Sequence, residues 1–167
     1  AIRIGSLIDR YGLPEFTRYM DALLEYTHRR THSEIEKLPR GTFKAESSLD
    51  FDGFTDKIVK LKVSITVNNE GVFFDFTGCD PQRRAPVNST YAMSFSACAY
   101  VLRALMDKDL PINDGFYRFV NVNAPAGTVV NAVHPAAVVG GWETQIRVND
   151  TLFMALAAAM PTAVPAG

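Results

Sequence analysis

Residues 58–78 read IVKLKVSITVNNEGVFFDFTG. From Ile58 to Val67 apolar and polar residues alternate and β-branched types dominate, which is the pattern of a strand with one buried face. Asn68-Asn69-Glu70-Gly71 then places Asn and Gly where a reversing chain needs positive φ. Val72 to Phe76 returns as a second strand, and upstream Thr42 to Phe51 alternates in the same way. Together the three segments read as an antiparallel β-meander.

On the N-terminal side the period becomes helical. AIRIGSLIDRYG, residues 1–12, reads as the end of a helix that begins before residue 1, with Gly12 as its stop and Pro14 in the first turn of the next helix. From Glu15 to Leu38, the residues Phe16, Tyr19, Met20, Leu23, Leu24, Ile35 and Leu38 recur on one helical face. Arg18, Asp21, Glu25, Arg29, Glu36 and Lys37 occupy the other face, and Pro39 to Gly41 ends the helix. Its apolar stripe is expected to cover the meander.

On the C-terminal side, residues 78–88 (GCDPQRRAPVN) carry two prolines and no period, and read as a loop. Ser89 or Thr90 can cap a helix from Tyr91 to Met106 that is apolar on nearly every side, as in a core or between domains. Phe116 to Val122 is a strand candidate, Ala124 to Gly127 a turn, and Thr128 to Asn131 a short strand. His134 to Thr144 reads as irregular around Gly140-Gly141-Trp142. Asp150 can cap a final Ala-rich helix from Thr151 to Met160 that Pro161 stops. The expected fold is α+β. A long N-terminal helix packs on an antiparallel meander, followed by a buried helix, short strands and the Ala-rich helix. Residues 1–167 form one unit, expected to be the central fragment of a longer protein.

Composition removes several function classes. Seventeen basic and eighteen acidic residues leave a net charge of −1, without the basic surface that nucleic-acid binding by counterion release requires. The chain is 47% hydrophobic and 21% charged, which is globular rather than disordered. No apolar run is long enough to span a bilayer, so no membrane is expected. The first residues lack the basic start and apolar stretch of a signal peptide. Two cysteines, Cys79 and Cys98, make no disulfide framework, which points to a reducing, cytoplasmic setting.

Individual motifs each have a plain structural reading. His28 and His32 have the four-residue spacing of a helical metal pair. Arg29 stands where a zincin carries its glutamate, Arg29 and Arg30 repel a cation, and a third ligand is missing, so no metal is assigned. Cys79 lies in a polar loop near Arg83 and Arg84 but far in sequence from any His, and reads as a small loop residue rather than a nucleophile. Cys98 sits in the apolar helix as core. Asp75 and Thr77 follow a strand and precede a loop, where a rigid scaffold presents chemistry or where a polar turn closes. Gly140-Gly141 allows a close backbone approach to an anion or ligand, without a P-loop or GxGxxG pattern. GxSxG is absent.

Read in order, a longer series stands out. It comprises Asp75-Phe76-Thr77-Gly78, Pro81-Gln82, Pro86-Val87-Asn88, Tyr100-Val101-Leu102-Arg103-Ala104-Leu105 and Asp109-Leu110-Pro111-Ile112-Asn113-Asp114-Gly115. Ala124-Pro125-Ala126-Gly127-Thr128-Val129-Val130-Asn131, Pro135-Ala136-Ala137-Val138, Gly140-Gly141, Arg147 and Asp150 complete it. The series resembles the hydantoinase B/oxoprolinase family: the B-type subunits, or C-terminal halves, of ATP-dependent N-methylhydantoinases, 5-oxoprolinases and acetone or acetophenone carboxylases. The helix exit at Leu38, Pro39 and Gly41 resembles the segment just before these motifs. The likeness spans nearly the whole chain, and the ordered series rather than any single motif carries it. Cys79 departs from the pattern, standing where the family has a small hydroxyl residue.

The resemblance implies a hydantoinase A-type partner subunit or domain that uses ATP to phosphorylate a small molecule. The B-type subunit then completes hydrolysis of a cyclic amide of the hydantoin or 5-oxoproline type or, as the alternative, carboxylation of a ketone. It implies no cofactor in this segment, with ATP and a divalent metal belonging to the whole enzyme. Asp75 and Thr77 are the catalytic candidates. Asn88, Gly140 and Gly141 are the substrate-binding candidates, lining a site that must supply donors to a developing oxyanion. The fragment alone is expected to be inactive. A different class of reading makes it a scaffold whose helices Tyr91 to Met106 and Thr151 to Met160 dock on a partner.

Overall fold

The computed structural model describes residues 2–164. In chain order the elements are α1 (Ile2–Tyr11), α2 (Leu13–Ile35), β1 (Gly41–Leu49), β2 (Val59–Asn68), β3 (Gly71–Asp75), α3 (Tyr91–Ala104), α4 (Asp114–Tyr117), β4 (Val120–Asn123) and α5 (Gly141–Ala157). The class is α+β, with one four-stranded sheet in the order β1-β2-β3-β4.

The meander forms where the alternation places it. β1 runs antiparallel to β2 from Gly41↔Val67 to Leu49↔Val59, and β2 to β3 from Ser64↔Asp75 to Asn68↔Gly71. Asn68 closes the turn, its Oδ1 accepting the amides of Glu70 at 2.8 Å and Gly71 at 3.2 Å. Gly71 has φ 143°, and a Cβ there would lie 2.9 Å from the carbonyl oxygen of Phe119, so glycine also lets the next strand approach. That strand, β4, joins β3 in parallel, with Asp75 opposite Asn123. A parallel partner needs a crossover, and α3 lies within it.

Alternation divides the sheet into two faces. Val59, Leu61, Val63, Ile65, Val67, Val72 and Phe74 are buried on the inner face. Ala97, Cys98, Val101 and Leu102 of α3 and Val148, Leu152, Ala155 and Leu156 of α5 complete the same core at helical spacing. Each fully buried Val, Leu or Phe contributes about 1.5–3 kcal/mol relative to exposure, so this one layer dominates the fold's stability. The outer face carries Lys60, Lys62, Ser64, Thr66, Phe73 and Asp75 and is more open to solvent.

The long helix meets the core at its C-terminal end, through Ile35 and the following Leu38. α3 and α5 cover the inner face, and the middle of α2 lies instead against α4. A Cβ on Gly115 would be 2.3 Å from the carbonyl oxygen of Leu24, and Asn113 Nδ2 donates to Thr27 Oγ1 at 2.9 Å. The N-terminal part of the expected stripe faces outward: Tyr19, Met20 and Leu23 are exposed, as are Ile4, Leu7 and Tyr11 of α1.

Three local expectations are corrected. The strand expected from Phe116 begins as the short helix α4, because Asn113 Oδ1 caps the Gly115 amide at 2.9 Å, leaving only Val120–Asn123 extended. Thr128 to Asn131 is a tight turn closed by Asn131 N to Thr128 O at 3.1 Å, not a strand. The last helix starts at Gly141, well before Asp150, which lies inside it. Gly140-Gly141 marks its entry, where contact with a neighbouring loop outweighs the poor helix propensity of glycine. Thr90 caps α3 as expected, its Oγ1 accepting the Met93 amide at 3.4 Å.

Candidate functional site

Parallel pairing sets the last residue of β3 beside the last residue of β4 on the outer face. Asp75 Oδ1 there accepts three hydrogen bonds: from Thr77 Oγ1 at 2.7 Å, Thr77 N at 3.1 Å and Asn123 Nδ2 at 2.8 Å. Asn123 Nδ2 also reaches Thr77 Oγ1 at 3.3 Å. Asp75 Oδ2 has no hydrogen-bond partner among the described residues. Burial pushes the carboxyl upward, but the bonds from Thr77 and Asn123 outweigh it and hold Asp75 below its ordinary range. Asp75 is therefore an ionised, oriented acceptor with one oxygen to offer, and a poor proton donor near neutral pH.

This pair lies in an open groove of about 520 Å³ whose lining includes Phe73, Asp75, Tyr91, Asn121 and Asn123. Tyr91 donates its hydroxyl to Val122 O at 3.4 Å. Asn121 shares the outer face with Asn123 two residues away, and its side chain makes no hydrogen bond among the described residues. Asn121, Asn123 and Tyr91 are absent from the residues expected from sequence. The available signal was the alternation Val120-Asn121-Val122-Asn123, which sends both amides to one face of a strand.

Asn88, Gly140 and Gly141 form a second cluster, away from this groove lining. Asn88 is fully buried; its Oδ1 accepts Arg83 N at 2.6 Å, and its Nδ2 faces the carbonyls of Arg83, Ala85 and Ala137 at 2.8–2.9 Å. Gly140 N donates to Pro86 O at 2.8 Å and Gly141 N to Val138 O at 3.1 Å. Buried Thr144 adds its hydroxyl to Val87 O. The side chain of Asn88 and the Gly140 amide thus join the 83–88 loop to the segment that enters α5, while the Gly141 amide closes a local turn on Val138. Asp75 and Thr77 come together; the other three candidates meet each other instead.

The remaining motifs settle into the framework. His28 and His32 pack on the Phe119 ring, at 4.7 and 6.0 Å between centroids. Cys79 Sγ accepts Lys62 N and donates to Lys62 O, both at 3.3 Å, and burial pushes its thiol up to about 11. Cys98 is fully buried in the core, and its thiol is raised by the same cause. Among the described residues no three His, Cys, Asp or Glu side chains converge as metal ligands. No described helix is long and apolar enough to cross a membrane. α3 and α5, expected as docking helices, bury their main apolar faces against each other and the sheet. An exposed apolar stripe lies on α1 and the first half of α2, and Tyr100 of α3 with Trp142, Ile146 and Met154 of α5 are exposed as well.

The family model described as Hydantoinase B/oxoprolinase matches residues 1–167. An uncharacterized protein of Methanocaldococcus jannaschii is 35% identical, covering 98% of this chain and 29% of its own length. A 5-oxoprolinase of Saccharomyces cerevisiae is 34% identical, over 89% of this chain and 12% of its own. The chain therefore spans less than a third of the length of these relatives. Among solved structures, the ATP-dependent caprolactamase from Pseudomonas jessenii has the same fold, with a TM-score of 0.76 at 24% identity over 91% of this chain and 27% of that one.

Proposed function

Because the chain belongs to the hydantoinase B/oxoprolinase family, we propose that it supplies the substrate-holding face of an ATP-dependent enzyme that hydrolyses a cyclic amide. The relative named 5-oxoprolinase supports this substrate class. A hydantoinase A-type partner subunit or domain activates the amide with ATP, and this segment holds it for attack by water.

The observation that carries the reading is the Asp75–Asn123 pair. Asp75 Oδ1 is tied down by Thr77 and Asn123 while Oδ2 is left over, in a groove that also holds the Asn121 amide. A ring amide offers an N–H donor beside a carbonyl acceptor. Asp75 Oδ2 accepts the N–H of the bound amide. Once the carbonyl oxygen is phosphorylated, water adds to the ring carbon, and Asn121 Nδ2 donates to the oxyanion that the added water oxygen becomes. The C–N bond breaks with a proton going to nitrogen, and a second water releases phosphate from the acyl phosphate. Such donors count most when oriented before reaction, which is the part of Thr77 and Asn123. Removal of one oxyanion donor typically costs a factor of about 10²–10³ in turnover.

The test uses the full-length enzyme with its ATP-using partner and follows 5-oxoproline or hydantoin opening beside phosphate release. Asp75→Asn and Asn121→Leu are each expected to lower amide opening by about 10². Wild-type turnover in both variants would overturn the reading.

A second reading, a docking segment, is favoured by the exposed Ile4, Leu7, Tyr11, Tyr19, Met20 and Leu23. It predicts self-association of the isolated chain that Tyr19→Glu with Leu23→Glu abolishes. A chain that sediments as a monomer before substitution would remove it.

A further inference from the structure

We propose that the groove between the loop after β1 and the loop after Asp80 binds a phosphate-class anion, with Lys57 and Arg84 as its charge partners. The inference is independent of the Asp75 reading, since the two grooves share no lining residue.

The groove is open, about 560 Å³, and is lined by Asp52, Phe54, Thr55, Lys57, Gln82, Arg83, Arg84 and Ala85. Both walls are pinned. Buried Asp52 accepts Phe54 N at 2.9 Å and Thr55 N at 2.7 Å on Oδ1, and Thr55 Oγ1 at 3.0 Å on Oδ2. On the other wall, Arg83 Nη2 donates to Asp80 Oδ2 at 2.6 Å and Ile58 O at 3.0 Å. Gln82 exchanges two hydrogen bonds with the backbone of Val133.

Charge accounting over the groove lining alone leaves a surplus. Asp80 neutralises Arg83, and the oxygens of Asp52 are occupied by its own loop. Lys57 and Arg84 make no ion pair or hydrogen bond among the described residues, whereas Arg18, Arg29, Arg30, Lys37, Lys62, Arg118 and Arg147 each meet a carboxylate. Along the groove lining, two unpaired cations stand against one remaining carboxylate whose oxygens are already bonded, and an acceptor with several oxygens would serve both. A phosphate group fits this best, because charge-assisted bonds from Arg and Lys to its oxygens are strong and it carries enough acceptors for both. Phe54, 72% exposed, offers an apolar wall to whatever carries the phosphate.

A free phosphate and a phosphate ester share this chemistry, and Phe54 separates them. The experiment titrates this chain with inorganic phosphate and with phenyl phosphate at constant ionic strength, by calorimetry. Both probes are expected to bind, and Arg84→Ala and Lys57→Ala are each expected to weaken both by about tenfold. Lys44→Ala, on the outer sheet face, serves as the control and leaves binding unchanged. Weaker binding of phenyl phosphate alone in Phe54→Ala supports an ester as occupant; equal affinities in that variant support the free ion. Arg84 and Lys57 hold nothing in the fold, so the thermal midpoints of their variants stay at the wild-type value and lost binding reports the site. No binding of either probe, or binding that survives both cation substitutions, overturns the proposal.

Discussion

The α-carbon of Gly141 faces the backbone carbonyl of Asn88 so closely that a Cβ would lie 2.4 Å from the oxygen. Gly140 repeats the contact at 3.1 Å from Pro86 O. Neither glycine has positive φ, so steric room rather than backbone conformation is what requires glycine here. The glycine pair forms a joint that lets the start of α5 rest on the 86–89 segment.

Gly141→Ala should therefore lower stability by about 2–3 kcal/mol, because the clash is with backbone that cannot swing aside. The thermal midpoint, read by circular dichroism, should fall by about 5–10 °C. Gly140→Ala should cost less, since its contact is looser. Equal midpoints for Gly141→Ala and wild type would mean that the helix entry yields without cost.

Asn88→Ala removes one acceptor and the two donors that face three carbonyls, all in a buried site. Unsatisfied buried polar groups cost about 1–3 kcal/mol each, so a loss of about 3 kcal/mol or more is expected in urea unfolding. Because α5 rests on this loop, Asn88→Ala and Gly141→Ala should be non-additive in the double variant.

Asp75 and Asp52 link stability to pH. Desolvation raises Asp75, but its bonds to Thr77 and Asn123 prevail; Asp52 is lowered first by the amides of Phe54 and Thr55. A carboxyl with a depressed folded value stabilises above its unfolded pKa, near 4, and loses that contribution as pH falls through the folded value. The urea midpoint of wild type should exceed that of Asp75→Asn at pH 7, and the gap should narrow progressively as pH falls below about 4. A gap that persists at low pH would assign the effect to shape rather than charge.

Both cysteines should be silent in the native state. Cys79 is pushed up to about 11 by burial, and Cys98 lies wholly inside the core. Only the thiolate attacks disulfide reagents, so at pH 7.5 the folded chain should titrate no fast thiol and the unfolded chain two. A fast native thiol would identify Cys79 as open to solvent and return it to consideration as a nucleophile.

The candidate site was legible in halves. Asp75 and Thr77 were readable because a polar pair at the end of a strand is a local pattern. Asn123, which completes the cluster, arrives from β4 by parallel pairing across a crossover that contains α3. Asn88 is a substrate-binding candidate through the Pro86-Val87-Asn88 motif of the resemblance; a lone Asn in that loop gives no sign of burial, and only the folded loop shows its side chain bonded to backbone. The start of α5 was misplaced because two glycines argue locally against a helix, while the benefit of glycine here comes from Pro86 and Asn88, which are distant in the chain.

Local physics by itself determined the alternating strands, the Asn68–Gly71 turn, the Thr90 cap and the amphipathic first helices, while the family came from the resemblance carried by the ordered motifs. Tertiary structure alone decided which helices cover the sheet, which glycines are joints, and which amides stand beside Asp75. Periodicity records that a face is apolar or polar, because backbone geometry repeats every two or 3.6 residues. It does not record what the face meets, because that depends on chain closure between residues far apart in sequence.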